Sequence, residues 1–208
     1  PYLLDSYTLE RKPIAMINVN EAAEMRASFD SQTPFSPKID EDSVEGTLIR
    51  EKARAAIMRT RAKEFQHDSA GIELGYRYEN SPICVSDGTP APPLDHGLYV
   101  ASTWPGVRAP HAWLKNGRST LDLFGRGFTL LDFSCDSADT SSFSSAAAEA
   151  KVPLDIIPCE EAGIRETYQR ALVLVRPDGH VAWRGDAMPK DASEIIDRVR
   201  GAKQEMSS

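Results

Sequence analysis

The sequence predicts an α/β chain: helices in its first third and a mixed sheet with helices in its C-terminal half. Three observations carry this. The apolar period is helical over residues 1–29 and 44–65. Residues 68–104 hold few long apolar runs and much turn chemistry. From Pro105 onward, apolar runs of strand length alternate with capped helical stretches.

The elements follow in order. In "LLDSYTLERKPIAMINVNEAAEMRASF", Leu3, Leu4, Tyr7, Ile14, Ile17 and Ala22 recur at helical spacing, and Asp5 or Ser6 offers a cap. Pro13 lacks an N–H and crowds the preceding turn, so two helical segments meeting near Lys12 are expected. "DSQTPFSPKIDED" reads as a loop. Ser43 or Asp42 caps a second helix, 44–65. Its polar face carries Arg50, Lys52, Arg54, Arg59, Arg61 and Lys63, which suits solvent or an acidic neighbour. Glu73–Tyr78 is strand-like, and Ser-Pro, Asp-Gly and Pro-Ala-Pro-Pro follow. The stretch 67–104 is expected to be an extended arm laid on a neighbouring surface, with a flexible linker as the alternative.

"PGVRAPHAWLKNGRSTLDLFG" opens the last domain, 105–208. Pro105-Gly106 turns the arm into it, Pro110 holds the entry to a first strand, and Asn116-Gly117 makes a hairpin between "HAWL" and "STLDLFG". "FTLLDFS" (128–134) and "PLDIIPC" (153–159) read as buried strands around a helix, 139–152, with Phe143, Ala147 and Ala150 inward. A short helix over Ile164–Gln169 is expected next. "ALVLVRP" and "HVAWRG" form a hairpin about Arg176-Pro177-Asp178-Gly179. "PKDASEIIDRVRGAK" closes as an amphipathic helix with Ile195, Ile196 and Val199 apolar. A βαβ crossover, a β-hairpin and a closing helix make the thioredoxin-like topology.

Composition narrows the function. The chain has 208 residues, 41% hydrophobic and 26% charged, as in soluble globular proteins. Its net charge of −7 argues against nucleic acid as the main partner. No run reaches the length of a membrane span and no signal peptide opens the chain, so no membrane partner is expected. Cys84, Cys135 and Cys159 lie far apart, which fits reduced thiols in a cytoplasm. With His67, His96, His111 and His180 also single, no zinc site is expected.

A redox thioredoxin needs a cysteine pair at the end of its first core strand. Here that corner reads "DFSCDSADTS": Cys135 stands near the right place, but position 138 is alanine. Dithiol exchange between neighbouring cysteines is excluded. Cys135 is then a structural cysteine or a lone reactive thiol, with no Lys, Arg or His close in sequence to activate it. No G-x-G-x-x-G, P-loop or G-x-S-x-G occurs. The four histidines read as structural or surface residues, and no residue is assigned to catalysis, cofactor or metal.

Three stretches, "PGVRAPHAWL", "STLDLFGRGFTLL" and "LVLVRPDGHVAWR", resemble the C-terminal region of FAD-dependent aromatic-ring hydroxylases. The group includes phenol and chlorophenol, hydroxyphenylpropionate and polyketide hydroxylases. "LLDSYTLERKPIA" resembles the family's L-x-x-Y-x-x-E-R-x-P, which closes the flavin-binding region. The resemblance implies about the last third of a monooxygenase. Residues 1–66 would be the helical end of the FAD-binding domain, 67–104 the arm, and 105–208 a thioredoxin-like domain that exchanges no disulfides. FAD would be bound mainly by upstream residues, with NAD(P)H as co-substrate. The upstream FAD-binding and substrate domains would be this chain's partners, in a cytoplasmic homo-oligomer. Tyr7, Glu10 and Arg11 share a helical face. Glu10 and Arg11 would anchor the helix to the flavin fold, or brace the flavin pocket from behind. Arg108 would be a surface residue or an ion-pair partner of the flavin domain. Two alternatives stay open: a stand-alone, non-redox binding module of thioredoxin-like fold, and a single-cysteine redox centre at Cys135.

Overall fold

The computed structural model describes residues 2–32, 36–64, 69–134 and 138–202. Cys135 and His67 lie outside them. Helix α1 spans Tyr2–Gln32 with Pro13 inside it, so the two segments expected to meet near Lys12 are one helix. Pro13 forfeits one backbone hydrogen bond, and the helical residues on both sides outlast that loss. The inward stripe of α1 is Ser6, Glu10, Ile14, Ile17 and Glu21, at helical spacing. Ser6 and Glu10 are its buried members, whereas Leu3, Leu4, Tyr7, Leu9, Met16 and Val19 are exposed. A 3₁₀ turn, Pro37–Asp40, leads to α2, Val44–Glu64. Ser43 caps α2 through its Oγ, which accepts from Gly46 N–H at 3.0 Å. Arg50 on the basic face donates to the carbonyls of Ile39 and Glu41.

Of the strand expected at Glu73–Tyr78, Glu73 ends a helical turn, α3 (Ala70–Glu73), Leu74-Gly75 turn, and the only pairing among these residues is a single bridge between Arg77 and Val107. Gly75, inside the expected strand, folds back on α3 instead of extending: a Cβ there would lie 2.6 Å from the Gly71 carbonyl oxygen. Residues 79–104 form no strand or helix, yet they are held rather than loose. Val85 N–H donates to the Ala182 carbonyl, Trp104 Nε1 to the Thr89 carbonyl, and Ile83 and Cys84 are buried. The arm therefore lies on the sheet, and the flexible-linker alternative fails. At its end Trp104-Pro105-Gly106-Val107 closes a tight turn with Gly106 at φ +100°.

The hairpin about Asn116-Gly117 forms, with Leu114 N–H bonded to the Arg118 carbonyl and a bridge between Trp113 and Ser119. Its second arm is not the expected strand. Thr120–Leu123 is a 3₁₀ helix, because Ser119 and Asp122 make a reciprocal capping box.

The sheet has four strands: β1 (Phe128–Asp132), β2 (Leu154–Pro158), β3 (Leu172–Val175) and β4 (Val181–Gly185). Their order is β2-β1-β3-β4, with β1 and β2 parallel and the other pairs antiparallel. Helices α4 (Ser141–Glu149), α5 (Ala162–Tyr168) and α6 (Ala192–Val199) complete the βαβ, hairpin and helix sequence read from the pattern. Side-chain alternation sends Leu130, Leu172 and Leu174 to a core with Phe143, Ile195, Ile196 and Val199. It sends Leu131, Val173 and Val175 to a second core with Ile164, Tyr168 and Val107. Burial on both faces explains the unbroken apolar runs of β1 and β3. β2 is the edge strand and only half-buried, which corrects the expectation of a second fully buried strand. Ala150, expected inward, is half-buried past the end of α4.

Candidate functional site

The densest group of buried charge lies where α1 meets the β3–β4 turn. The turn is closed by Gly179 N–H to the Arg176 carbonyl at 2.9 Å and by Arg176 N–H to the His180 carbonyl at 2.8 Å. Gly179 takes φ +81°. Arg176 thus leaves the sheet at a fixed point, and its guanidinium takes both oxygens of Glu10. Nη1 lies 2.5 Å from Oε1 and Nη2 3.0 Å from Oε2. Nη2 also reaches Asp178 Oδ2 at 2.8 Å, and Ser81 Oγ donates to Glu10 Oε1 at 2.5 Å. Glu10 is 4% exposed and Arg176 8%. A two-pronged, desolvated pair of this kind fixes direction as well as distance.

A layer of rings covers the pair. Tyr78 stacks on His180 with centroids 4.2 Å apart, and Tyr76 sits 5.2 Å from the same imidazole. The Arg176 guanidinium lies 5.4 Å from the Tyr78 ring centre. Arg11 Nη1 donates to Tyr78 Oη at 2.7 Å. Burial pushes the Tyr78 hydroxyl up to about 12, although the bond from Arg11 opposes it. Burial alone would lower Arg176, but Glu10 and Asp178 outweigh it and hold its pKa above the ordinary value. Asp178 is pulled the other way: burial raises it, and His180 and Arg176 overcome that and leave it lowered. Cys84 Sγ lies 3.7 Å from Arg176 Nη1, and burial raises its pKa despite that charge. Tyr78 and Cys84 therefore stay protonated near neutral pH, and the cluster presents no nucleophile. Its chemistry is that of a joint.

A second joint fastens the arm. Arg184 on β4 is 6% exposed; its Nε meets Asp87 Oδ2 at 2.7 Å, and its other nitrogens reach Thr89, Thr103 and Gln169.

Glu10 and Arg11, expected to anchor α1 to the flavin fold or to brace the flavin pocket, have their partners in the arm and at the end of β3: Ser81, Tyr78 and Arg176. Tyr7, on the same turn of α1, is exposed instead. Arg108 bridges His180 through its backbone and lies near Tyr99, whose hydroxyl burial raises while Arg108 opposes. His111 meets Ser119 Oγ at 2.7 Å and packs edge-on against Trp113, and His96 meets Glu21. Cys159 is buried and held up to about 11, so it is no thiolate donor at neutral pH. Among the described residues no three His, Cys, Asp or Glu side chains gather in a metal-binding group, and no helix is long and apolar enough to cross a membrane. Sequence reading missed Arg176 and Ser81 as partners of α1. The available signal was a charged residue ending the wholly apolar run "LVLV".

Comparison with known proteins sets this joint in context. Residues 102–202 match the family described as "Aromatic-ring hydroxylase, C-terminal", and this part of the chain belongs to that family. It is 32% identical over 99% of its length to "FAD-dependent monooxygenase apdD" of Emericella nidulans, covering 34% of that protein. It is 33% identical over 88% of its length to "2,4-dichlorophenol 6-monooxygenase" of Delftia acidovorans, covering 36% of it. Among solved structures, the rebeccamycin biosynthetic enzyme RebC with reduced flavin superposes with a TM-score of 0.80 at 40% identity, over 98% of this chain and 37% of that one. The chain thus spans little more than a third of the length of the relatives it matches.

Proposed function

We propose that this chain is the C-terminal part of an FAD-dependent monooxygenase that hydroxylates a phenolic or related aromatic ring with NAD(P)H and O₂. One oxygen atom would enter the ring and the other leave as water. The carrying observation is the extent of the likeness to apdD: it runs over 99% of the chain, so α1, the arm and the sheet domain recur together. The phenolic substrate class is supported by the dichlorophenol monooxygenase, and FAD by apdD and by the reduced flavin of RebC.

The described residues do not themselves build a seat for FAD. A groove of about 280 Å³ is lined on one side by Leu9, Ile14 and Ile17 of α1, and its charged residues Glu10, Arg77 and Glu79 are already paired, Glu10 with Arg176 and Arg77 with Glu79. A pyrophosphate needs backbone N–H groups at a glycine-rich helix start, and the α1 residues along this groove offer none. FAD, which supplies the redox chemistry when bound, is therefore assigned to upstream residues. This chain's role is scaffold. The four-stranded sheet with its βαβ unit and hairpin is a thioredoxin-like arrangement without a redox pair. The exposed Leu3, Leu4, Tyr7, Met16 and Val19 of α1 supply an apolar surface for the upstream FAD-binding domain. The net charge of −7 supports an enzyme without nucleic-acid partners, the three isolated cysteines suit a cytoplasm, and a homo-oligomer is the expected assembly.

The intact gene product, purified from its own cells, tests this. A mass well over twice 22.9 kDa with bound FAD is expected. A protein of 22.9 kDa, or a longer one that carries no flavin and takes none up, would overturn the reading.

A further inference from the structure

We propose that Arg176 is a positioning residue for the flavin site: from the β3–β4 turn it sets the axial position and rotation of α1 through Glu10. The proposal rests on the reading above, in which α1 closes the flavin-binding region.

The argument starts from what α1 buries. Its large apolar residues Leu3, Leu4, Leu9, Met16 and Val19 are exposed, while Ser6 and Glu10 are buried. Packing of apolar side chains onto the C-terminal sheet therefore does not set the helix's register. Polar contacts do so: the buried ones of Glu10 to Arg176 and Ser81 and the part-buried one of Arg11 to Tyr78, with an exposed contact of Glu21 to His96 three turns on. A slip of one residue moves a helix by about 1.5 Å along its axis and turns it by about 100°. Either change takes Glu10 off both prongs of the guanidinium. A buried pair adds little net stability over an apolar one, and its best-attested use is to specify register. The other end of the clasp is rigid, because Arg176 follows directly on β3, whose residues are all buried, and pairs with His180 across a closed turn. Motion of the C-terminal domain thus has a direct route to α1 through the Glu10–Arg176 salt bridge, whose partners lie 166 residues apart in sequence.

The test uses the intact, FAD-bearing gene product and compares Arg176→Met with Arg184→Met. Arg184 is as buried, sits on the same hairpin and holds the arm without touching α1. Amide hydrogen exchange of α1 and the dissociation constant for FAD are measured. For Arg176→Met, α1 exchange and the FAD dissociation constant should each rise about ten-fold, the scale of ordinary coupling between sites. Arg184→Met should lower the melting temperature and leave both unchanged. Arg176→Lys should recover part of the loss, and it takes over the comparison if the methionine variant does not fold. Unchanged α1 exchange in the Arg176 variants, or equal effects from Arg184→Met, would overturn the proposal. Wild-type protein without flavin overturns the monooxygenase reading instead, and the exchange comparison still decides whether Arg176 sets α1.

Discussion

Asp87 shows how a single side chain ties a segment without secondary structure to the sheet. Burial works to raise its pKa. Two hydrogen bonds from Thr89 and the Arg184 guanidinium overcome that and hold it below the ordinary carboxylate range. A carboxyl whose folded pKa is depressed contributes stability that is complete above its unfolded pKa and lost as the pH falls through its folded one. The wild-type chain should therefore lose stability on acidification, beginning as the pH falls through the ordinary aspartate range and complete once it has passed the lowered folded pKa of Asp87. Asp87→Asn removes the charge beside Arg184 and should unfold at lower urea concentration at pH 7. Over the acid range its midpoint should change less than that of the wild type. Parallel curves for the two proteins would show that Asp87 carries none of the acid limb. Nothing in the sequence marked Asp87, which lay in a stretch read only as turn chemistry. Its partner is 97 residues away, and the pairing exists only once the arm is laid down.

Elements were legible where local chemistry and tertiary packing agree. β1, β3, β4, α2 and α6 fall where periodicity and caps place them, because buried strands and amphipathic helices write their environment into the pattern. The misses have local causes as well. At Ser119 a side-chain capping box outcompetes strand pairing, and at Gly75 the backbone folds back on the preceding helical turn instead of extending. At Pro13 the helix accepts a missing hydrogen bond, so a rule that ends helices at proline fails. That last case is open to measurement. Replacing a helix-interior proline by alanine restores the N–H and removes the ring clash, worth up to about 3 kcal/mol in an exposed helix. Pro13 is exposed, so Pro13→Ala should raise the thermal midpoint and slow amide exchange along residues 9–17. An unchanged or lower midpoint would mean that the ring's packing against the neighbouring groove outweighs the lost hydrogen bond.

For the molecule as a whole, the candidate site was only half legible. The face holding Glu10 and Arg11 could be read from helical spacing, but the partner expected for it was the flavin fold. Its observed partners could not be read, because Arg176 and Ser81 come from segments that only the folded chain brings together. The same helix poses the largest question of balance. α1 buries a serine and a glutamate and exposes Leu4 at 78% and Val19 at 63%, the reverse of a helix that ends at its own domain's surface. Such a face is stable in water only when something covers it. If upstream residues of the same polypeptide are the cover, the 208-residue chain produced alone should self-associate and sediment well above 22.9 kDa. Leu4→Glu combined with Val19→Glu should shift it toward the monomer without lowering the melting temperature, since neither side chain contributes to the described core. In the longer gene product the same two charges would face their natural cover, and there the pair should instead weaken stability. A chain that is monomeric as it stands, with the double variant behaving alike in both contexts, would show that α1 needs no partner beyond Arg176, Ser81 and Tyr78.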